Sequence, residues 1–193
     1  MRHYMIVGRT GVGKSSFVNT FFAGNVAPVD HYESCTKLVD FHAHRGGPAG
    51  TQNICLIDTP GLMEGDGKND QAYLKMMADR LQTTEVECFI YVTSLAETRF
   101  PTGDEAAIVK LTENLGPQIW SSSWLVFTFA ASVSAETREK RVDIFRASFI
   151  DCVSRNIGRR NSAGRFRGFQ QVLMVDNLTN NWAANTRPLA AFF

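Results

Sequence analysis

Residues 8–15 read Gly-Arg-Thr-Gly-Val-Gly-Lys-Ser, the Walker A pattern in which two glycines bracket four residues and are followed by Lys and Ser. A run of strand character, Tyr4 to Val7, leads into it, and a segment of helical character, Ser15 to Phe22, leaves it. No other feature constrains the chain as strongly. Glycines allow a tight turn that aims successive backbone N–H groups at phosphate oxygens, and the helix that follows adds the positive end of its dipole. The expectation is that Gly8, Arg9, Thr10, Gly11, Val12, Gly13, Lys14, Ser15 and Ser16 cradle phosphates. Lys14 would bridge the β- and γ-phosphates, and the Ser15 hydroxyl would ligate Mg²⁺.

The rest of the chain supports that context. Short runs rich in β-branched and aromatic residues, Leu38 to Phe41, Ile54 to Ile57, Cys88 to Val92, Trp124 to Phe129 and Val172 to Val175, alternate with helical segments. The pattern predicts an α/β domain with a six-stranded, mostly parallel sheet flanked by helices on both faces. Gln71 to Leu81 carries an apolar stripe of Leu74, Met77 and Leu81. Thr102 and Glu105 predict a capping box, Ile108, Leu111 and Leu115 a stripe, and Gly116-Pro117 a stop. Ala135 to Ile157 places Val142, Phe145, Phe149, Cys152 and Val153 on one side. Two irregular stretches, Ala23 to Cys35 and Gly61 to Asn69, join these elements and predict functional loops.

A length of 193 residues suits one domain spanning 1–193, and 44% apolar content argues against disorder. Twenty basic residues against nineteen acidic ones give a net charge of +1, so the whole surface has no field for nucleic acid, and no nucleic-acid partner is expected. No run approaches the roughly 18 apolar residues of a spanning helix. Cys35, Cys55, Cys88 and Cys152 are scattered, which predicts reduced thiols in an intracellular, cytosolic protein.

Asp58-Thr59-Pro60-Gly61 closes the Ile54 to Ile57 strand. A carboxylate there can hold Mg²⁺ through water, and the Gly61 N–H can meet a γ-phosphate. With Walker A, the tetrapeptide reads as the second half of a nucleotide triphosphatase. Thr36, between the two motifs, is the candidate that completes the Mg²⁺ shell while a γ-phosphate is present. Its plain structural reading is a threonine that begins a strand. The metal set is therefore Ser15, Thr36 and Asp58.

Gly8 to Ser15, Ser34-Cys35-Thr36-Lys37 and Asp58-Thr59-Pro60-Gly61-Leu62 resemble the septin-related GTPases, specifically the immunity-associated GTPases and the chloroplast outer-envelope import receptors. Leu62-Met63-Glu64-Gly65 resembles the receptors' Leu-Ile-Glu-Gly, and Leu115-Gly116-Pro117-Gln118-Ile119-Trp120 their Phe-Gly-x-x-Ile-Trp. The likeness runs from Tyr4 to about Asn177. It implies a P-loop G domain that uses GTP and GDP with Mg²⁺. The usual guanine-reading Asn-Lys-x-Asp is missing, and Thr128-Phe129-Ala130-Ala131 stands where the receptors have Thr-His-Ala-Gln. Phe129 can stack on or edge a base but accepts no hydrogen bond from it. Val175-Asp176-Asn177 resembles the receptors' Val-Glu-Asn, so the resemblance makes Asp176 the guanine reader, the alternative being an acidic turn former.

Hydrolysis would draw on Lys14, Thr36, Gly61 and Arg99. Leu62 offers no amide or carboxylate to orient water, which predicts a slow monomer. Arg99 follows the fourth strand, at the place of the receptors' arginine that reaches across a dimer, the alternative being a solvated loop residue. The expected partner is a second copy, held through the switch face in a nucleotide-dependent homodimer. The resemblance also leaves room for a membrane-associated partner or another GTPase, and for a place at the cytosolic face of a membrane should a C-terminal tail have been removed. Two competing classes stand beside this reading: a nucleotide-loaded scaffold without hydrolysis, and a P-loop enzyme that uses ATP. Arg159, Arg160, Arg165 and Arg167 form a basic loop that reads as solvated, the alternative being contact with lipid headgroups, RNA or an acidic partner.

Overall fold

A computed structural model of the chain describes residues 1–22, 25–29, 38–44, 53–63, 68–158, 166 and 168–176. Thr36, Asn177 and the four arginines between 159 and 167 lie outside the described residues. The elements are β1 (Arg2–Val7), α1 (Lys14–Phe22), β2 (Asp40–His44), β3 (Ile54–Asp58), α2 (Asp70–Thr83), β4 (Cys88–Ser94), α3 (Thr102–Leu115), β5 (Ser123–Thr128), α4 (Ala135–Gly158) and β6 (Gln171–Met174). The sheet runs β2-β3-β1-β4-β5-β6, with β2 antiparallel to β3 and every other pair parallel. The predicted six-stranded, mostly parallel sheet is what forms.

Both faces of the central strands are covered, and the alternation along each strand shows how. Met5, Val7, Cys55, Ile57, Phe89, Tyr91, Leu125 and Phe127 face one way, onto a core that takes Leu74 and Met77 of α2, Ile108 and Leu111 of α3, and Phe145 and Phe149 of α4. Tyr4, Ile6, Leu56, Ile90, Val92, Trp124 and Val126 face the other way, onto Phe17 and Val18 of α1. Trp120, in a 3-10 turn after α3, is buried and donates its indole N–H to Thr112 Oγ1 at 2.9 Å. Among the described residues, no helix is long and apolar enough to cross a membrane.

From β1 the sheet extends to β3 on one side and to β4 on the other, which opens a crevice at the carboxyl ends of the central strands. The turn after β1 lies at this crevice, and so does the end of β3.

Three local expectations need correction. Thr102 and Glu105 form no capping box: Pro101 is the N-cap, and no side chain caps the helix. The Pro101 carbonyl accepts the Asp104 and Glu105 N–H groups at 3.0 and 3.3 Å, and the Glu105 carboxylate turns outward to Arg155 at 3.3 Å. The second strand begins at Asp40, not Leu38, and Leu38 is exposed. The fifth strand stops at Thr128, because Phe129 adopts a left-handed backbone with φ 54° and starts a 3-10 turn.

Candidate nucleotide site

The turn after β1 has the backbone of a phosphate cradle. Gly8, Gly11 and Gly13 have φ of 148°, 78° and 88°, a region side chains disfavour. Gly8 is further constrained by close approach: a Cβ there would run into the Val92 carbonyl oxygen of β4 and lie 3.3 Å from its carbon. Lys14, only 6% exposed, donates from Nζ to the Arg9 carbonyl at 2.8 Å, which bows the ammonium back over the turn. Such a folded-back lysine above a nest of N–H groups fits a polyphosphate by charge and by donor type.

Ser15 and Asp58 meet beside it. Ser15 Oγ donates to Asp58 Oδ2 at 2.7 Å, with Asp58 itself 1% exposed at the end of β3. Thr59 donates to the Ile6 carbonyl at 2.6 Å, tying the end of β3 to β1. A hydroxyl and a carboxylate oxygen held together are hard oxygen donors, the set a Mg²⁺ ion prefers.

The start of the second irregular loop is fastened to the glycine turn. Thr10 N–H donates to the Leu62 carbonyl at 2.9 Å, and Leu62 N–H to the Gly8 carbonyl at 3.2 Å. Gly61 is pressed so closely onto the turn that a Cβ there would run into Thr10 Oγ1 and lie 2.5 Å from the Thr10 Cα. The Leu62 side chain is wholly buried in the core under α2 and α3. Met63 takes a left-handed backbone, φ 62°, and its N–H is received by both Asp70 carboxylate oxygens at 3.0 and 3.2 Å. Lys110 of α3 reaches the same carboxylate at 2.6 Å.

At the base end, Thr128, expected from the sequence to bind nucleotide together with Phe129, Asp176 and Asn177, turns its hydroxyl toward the protein. It is fully buried, with its hydroxyl 2.6 Å from the Val12 carbonyl and 3.0 Å from the Thr93 carbonyl, so it fixes the phosphate turn against β4 and β5. Phe129 is half-buried beside it. Asp176 is 7% exposed just past β6, where Val175 accepts the Ala130 N–H at 3.2 Å. Phe129 and Asp176 are thereby brought to one edge of the crevice. Arg99 is exposed in the loop after β4, at the same end of the sheet.

Arg9, Asp104, Tyr91, Thr93 and Glu97 form a cluster that sequence reasoning did not assemble. Arg9 Nε lies 3.2 Å from Asp104 Oδ1 and Nη2 lies 3.3 Å from Glu97 Oε1. Tyr91 and Thr93 donate hydroxyls to Asp104 Oδ1 and Oδ2, each at 2.8 Å. Burial pushes the Asp104 carboxyl above its ordinary value despite the adjacent Arg9 guanidinium, and it lifts the Tyr91 phenol further. The available signal was periodicity. Asp104 stands one turn ahead of Ile108 and two ahead of Leu111, and Asp70 one turn ahead of Leu74 and two ahead of Met77, so each carboxylate continues an apolar stripe.

Comparison with known proteins agrees with this geometry. The model of the AIG1 family matches residues 2–170. GTP-binding protein A of Dictyostelium discoideum is 36% identical over 130 residues, covering 67% of this chain and 28% of that protein. Translocase of chloroplast 34 of Arabidopsis thaliana is 35% identical over 126 residues, covering 65% of this chain and 39% of that protein. The chain thus spans well under half the length of these relatives. The crystal structure of Toc33 from Arabidopsis thaliana in complex with GDP and Mg²⁺ superposes with a TM-score of 0.74 at 25% identity, over 97% of this chain and 74% of that one. Walker A in the turn after β1, the β3 carboxylate against it and a family match that takes in every strand but the last lead to one conclusion: this chain belongs to the AIG1 family.

Proposed function

We propose that this chain is a guanine-nucleotide switch that binds GTP and GDP with Mg²⁺ and hydrolyses GTP slowly, with two copies pairing through the switch face. The observation that carries the reading is the meeting of Ser15 and Asp58 at 2.7 Å beneath the folded-back Lys14. The name of the Dictyostelium relative and the GDP and Mg²⁺ of the Toc33 complex support the same ligand class.

In this reading the backbone N–H groups of residues 8–16 and Lys14 hold the phosphates. Ser15, Asp58 and Thr36 hold Mg²⁺, which when bound neutralises phosphate charge. Gly61 senses the γ-phosphate, and its close approach to Thr10 holds it against the glycine turn. Asp176 and Asn177 read the base, with Phe129 against its ring. The Leu62 side chain is buried in the core and positions no water, which supports a slow monomer. Arg99, exposed at the same end of the sheet, supplies phosphate-directed charge or dimer contact to the partner copy. Cys55, Cys88 and Cys152 lie as buried free thiols, which supports an intracellular, cytosolic site of action.

Titration with labelled GDP and labelled ADP tests the ligand class: GDP binds more tightly, and a preference for ADP overturns the reading in favour of an ATP-using enzyme. The buried Leu62 also favours a second reading, a loaded scaffold that does not hydrolyse. Single-turnover phosphate release that rises with protein concentration and drops in Arg99→Ala supports the dimer-stimulated enzyme. A flat, negligible rate supports the scaffold.

A further inference from the structure

The P-loop residue Arg9 sends its side chain sideways, toward the elements that follow β4. Its aliphatic stem crosses the first turn of α3, where a Cβ on Gly103 would lie 2.7 Å from Arg9 Cδ and 3.5 Å from Nε and Nη1. Its guanidinium then spans two carboxylates of different kinds. Asp104 is wholly buried and held on both oxygens by Tyr91 and Thr93, so it is a fixed anchor. Glu97 is 47% exposed, in the 95–100 loop that carries Arg99.

That loop has a second attachment at its base. Leu95 N–H donates to the Thr128 carbonyl at 2.9 Å, and its own carbonyl accepts from Arg141 of α4 at 2.9 Å. Residues 96–99 are exposed, and among the described residues the Arg9–Glu97 pair joins that stretch to the glycine turn. An exposed ion pair is ordinarily weak, because two long side chains must be ordered to make it. Here the buried Asp104 has already ordered one of them.

We propose that Arg9 is a positioning residue, a brace through which nucleotide held by the glycine turn orders the 95–100 loop and with it Arg99. This rests on the reading that the turn binds a guanine nucleotide. The chain would then present its pairing face in answer to its own bound nucleotide.

Hydrogen exchange with and without GDP and Mg²⁺, at a concentration where sedimentation shows a monomer, tests the brace. In the wild type, GDP slows exchange both at residues 8–15 and at 95–100. Glu97→Gln keeps the first effect and weakens the second by about two- to five-fold, the scale of one partly exposed ion pair. Gly103→Ala does the same by a different route, since its Cβ displaces the flexible Arg9 stem while alanine suits a helix better than glycine. Unchanged exchange in the buried strands β1 and β4 of both variants separates loss of the brace from loss of the fold.

Wild-type protection of 95–100 in both variants overturns the proposal, as does a wild-type loop that ignores GDP. A glycine turn that GDP fails to protect in the wild type overturns the nucleotide reading, and the brace with it.

Discussion

Ser15 Oγ donates to Asp58 Oδ2 at 2.7 Å, joining residues 43 positions apart in sequence at the point where β1 and β3 run side by side. If these oxygens hold Mg²⁺, Ser15→Ala lowers affinity for labelled GDP in Mg²⁺ by about 10- to 100-fold, the usual scale for a group that binds or orients a metal. In EDTA the variant and the wild type bind alike, because the phosphate-facing N–H groups are untouched. Paired titrations decide the matter, and a variant that binds as the wild type does in Mg²⁺ removes Ser15 from the metal set.

Gly61→Ala is expected to separate the switch from the glycine turn. The added Cβ would lie 2.5 and 2.7 Å from the Thr10 Cα and N, which are backbone atoms that cannot rotate aside. Relief requires opening the hydrogen bonds of Leu62 to Gly8 and Thr10. The expected cost is about 1–3 kcal/mol of stability in denaturant melts. Affinity for a non-hydrolysable GTP analogue should fall about ten-fold relative to GDP, equivalent to about 1.5 kcal/mol for one hydrogen bond to a charged group. Equal losses for both nucleotides would mean that Gly61 does not sense the γ-phosphate.

Those two sites also show what the sequence could and could not disclose. Gly8 to Ser15 and Asp58 to Gly61 were legible because phosphate binding by backbone N–H groups imposes glycine, lysine and hydroxyl at fixed spacing. The strands were legible because burial on both faces leaves continuous apolar runs such as Ile54 to Ile57. Arg9, Asp104 and Glu97 were not, because their partnership depends on which side of β4 the α3 helix returns. The predicted cap on Thr102 failed for a related reason: Pro101 already supplies an extended N-cap, leaving Glu105 to the surface. The partners of Thr128 were not legible either: its fully buried hydroxyl engages the Val12 and Thr93 carbonyls, a pairing that depends on how the glycine turn packs against β4 and β5.

Asp104 should give the protein an unusual pH response. Burial raises its folded-state pKa above the ordinary 3.8, an effect that Arg9, Tyr91 and Thr93 only partly offset. The native state therefore binds more protons than the unfolded state in the window just above 3.8. Stability from this group is complete below that value and declines as pH rises through the folded-state pKa. Asp104→Asn removes the titration, so the wild type's advantage over the variant is greater at pH 4 than at pH 7, with a cost near pH 4 of about 1–3 kcal/mol from the altered hydrogen bonding. Urea melts of both proteins at several pH values test this, since the difference cancels the other carboxylates. An advantage that grows toward neutral pH contradicts the assignment.

Base selection should rest on Asp176, which stands just past β6 where Val175 binds the Ala130 N–H, close in the fold to Phe129. An ionised carboxylate only accepts hydrogen bonds, which suits the N1–H and N2 amino donors of guanine. Asp176→Asn replaces one acceptor oxygen with an amide donor, and xanthine presents an oxygen where guanine has its amino group. The variant should therefore lose roughly 100-fold in GDP affinity, about 3 kcal/mol for a buried charged acceptor, and gain affinity for xanthosine diphosphate. Competition of both diphosphates against a labelled nucleotide measures the exchange. Loss of GDP without a gain for the xanthine nucleotide would make Asp176 a turn former at the strand end, and unchanged GDP binding would leave base recognition to other groups at the crevice.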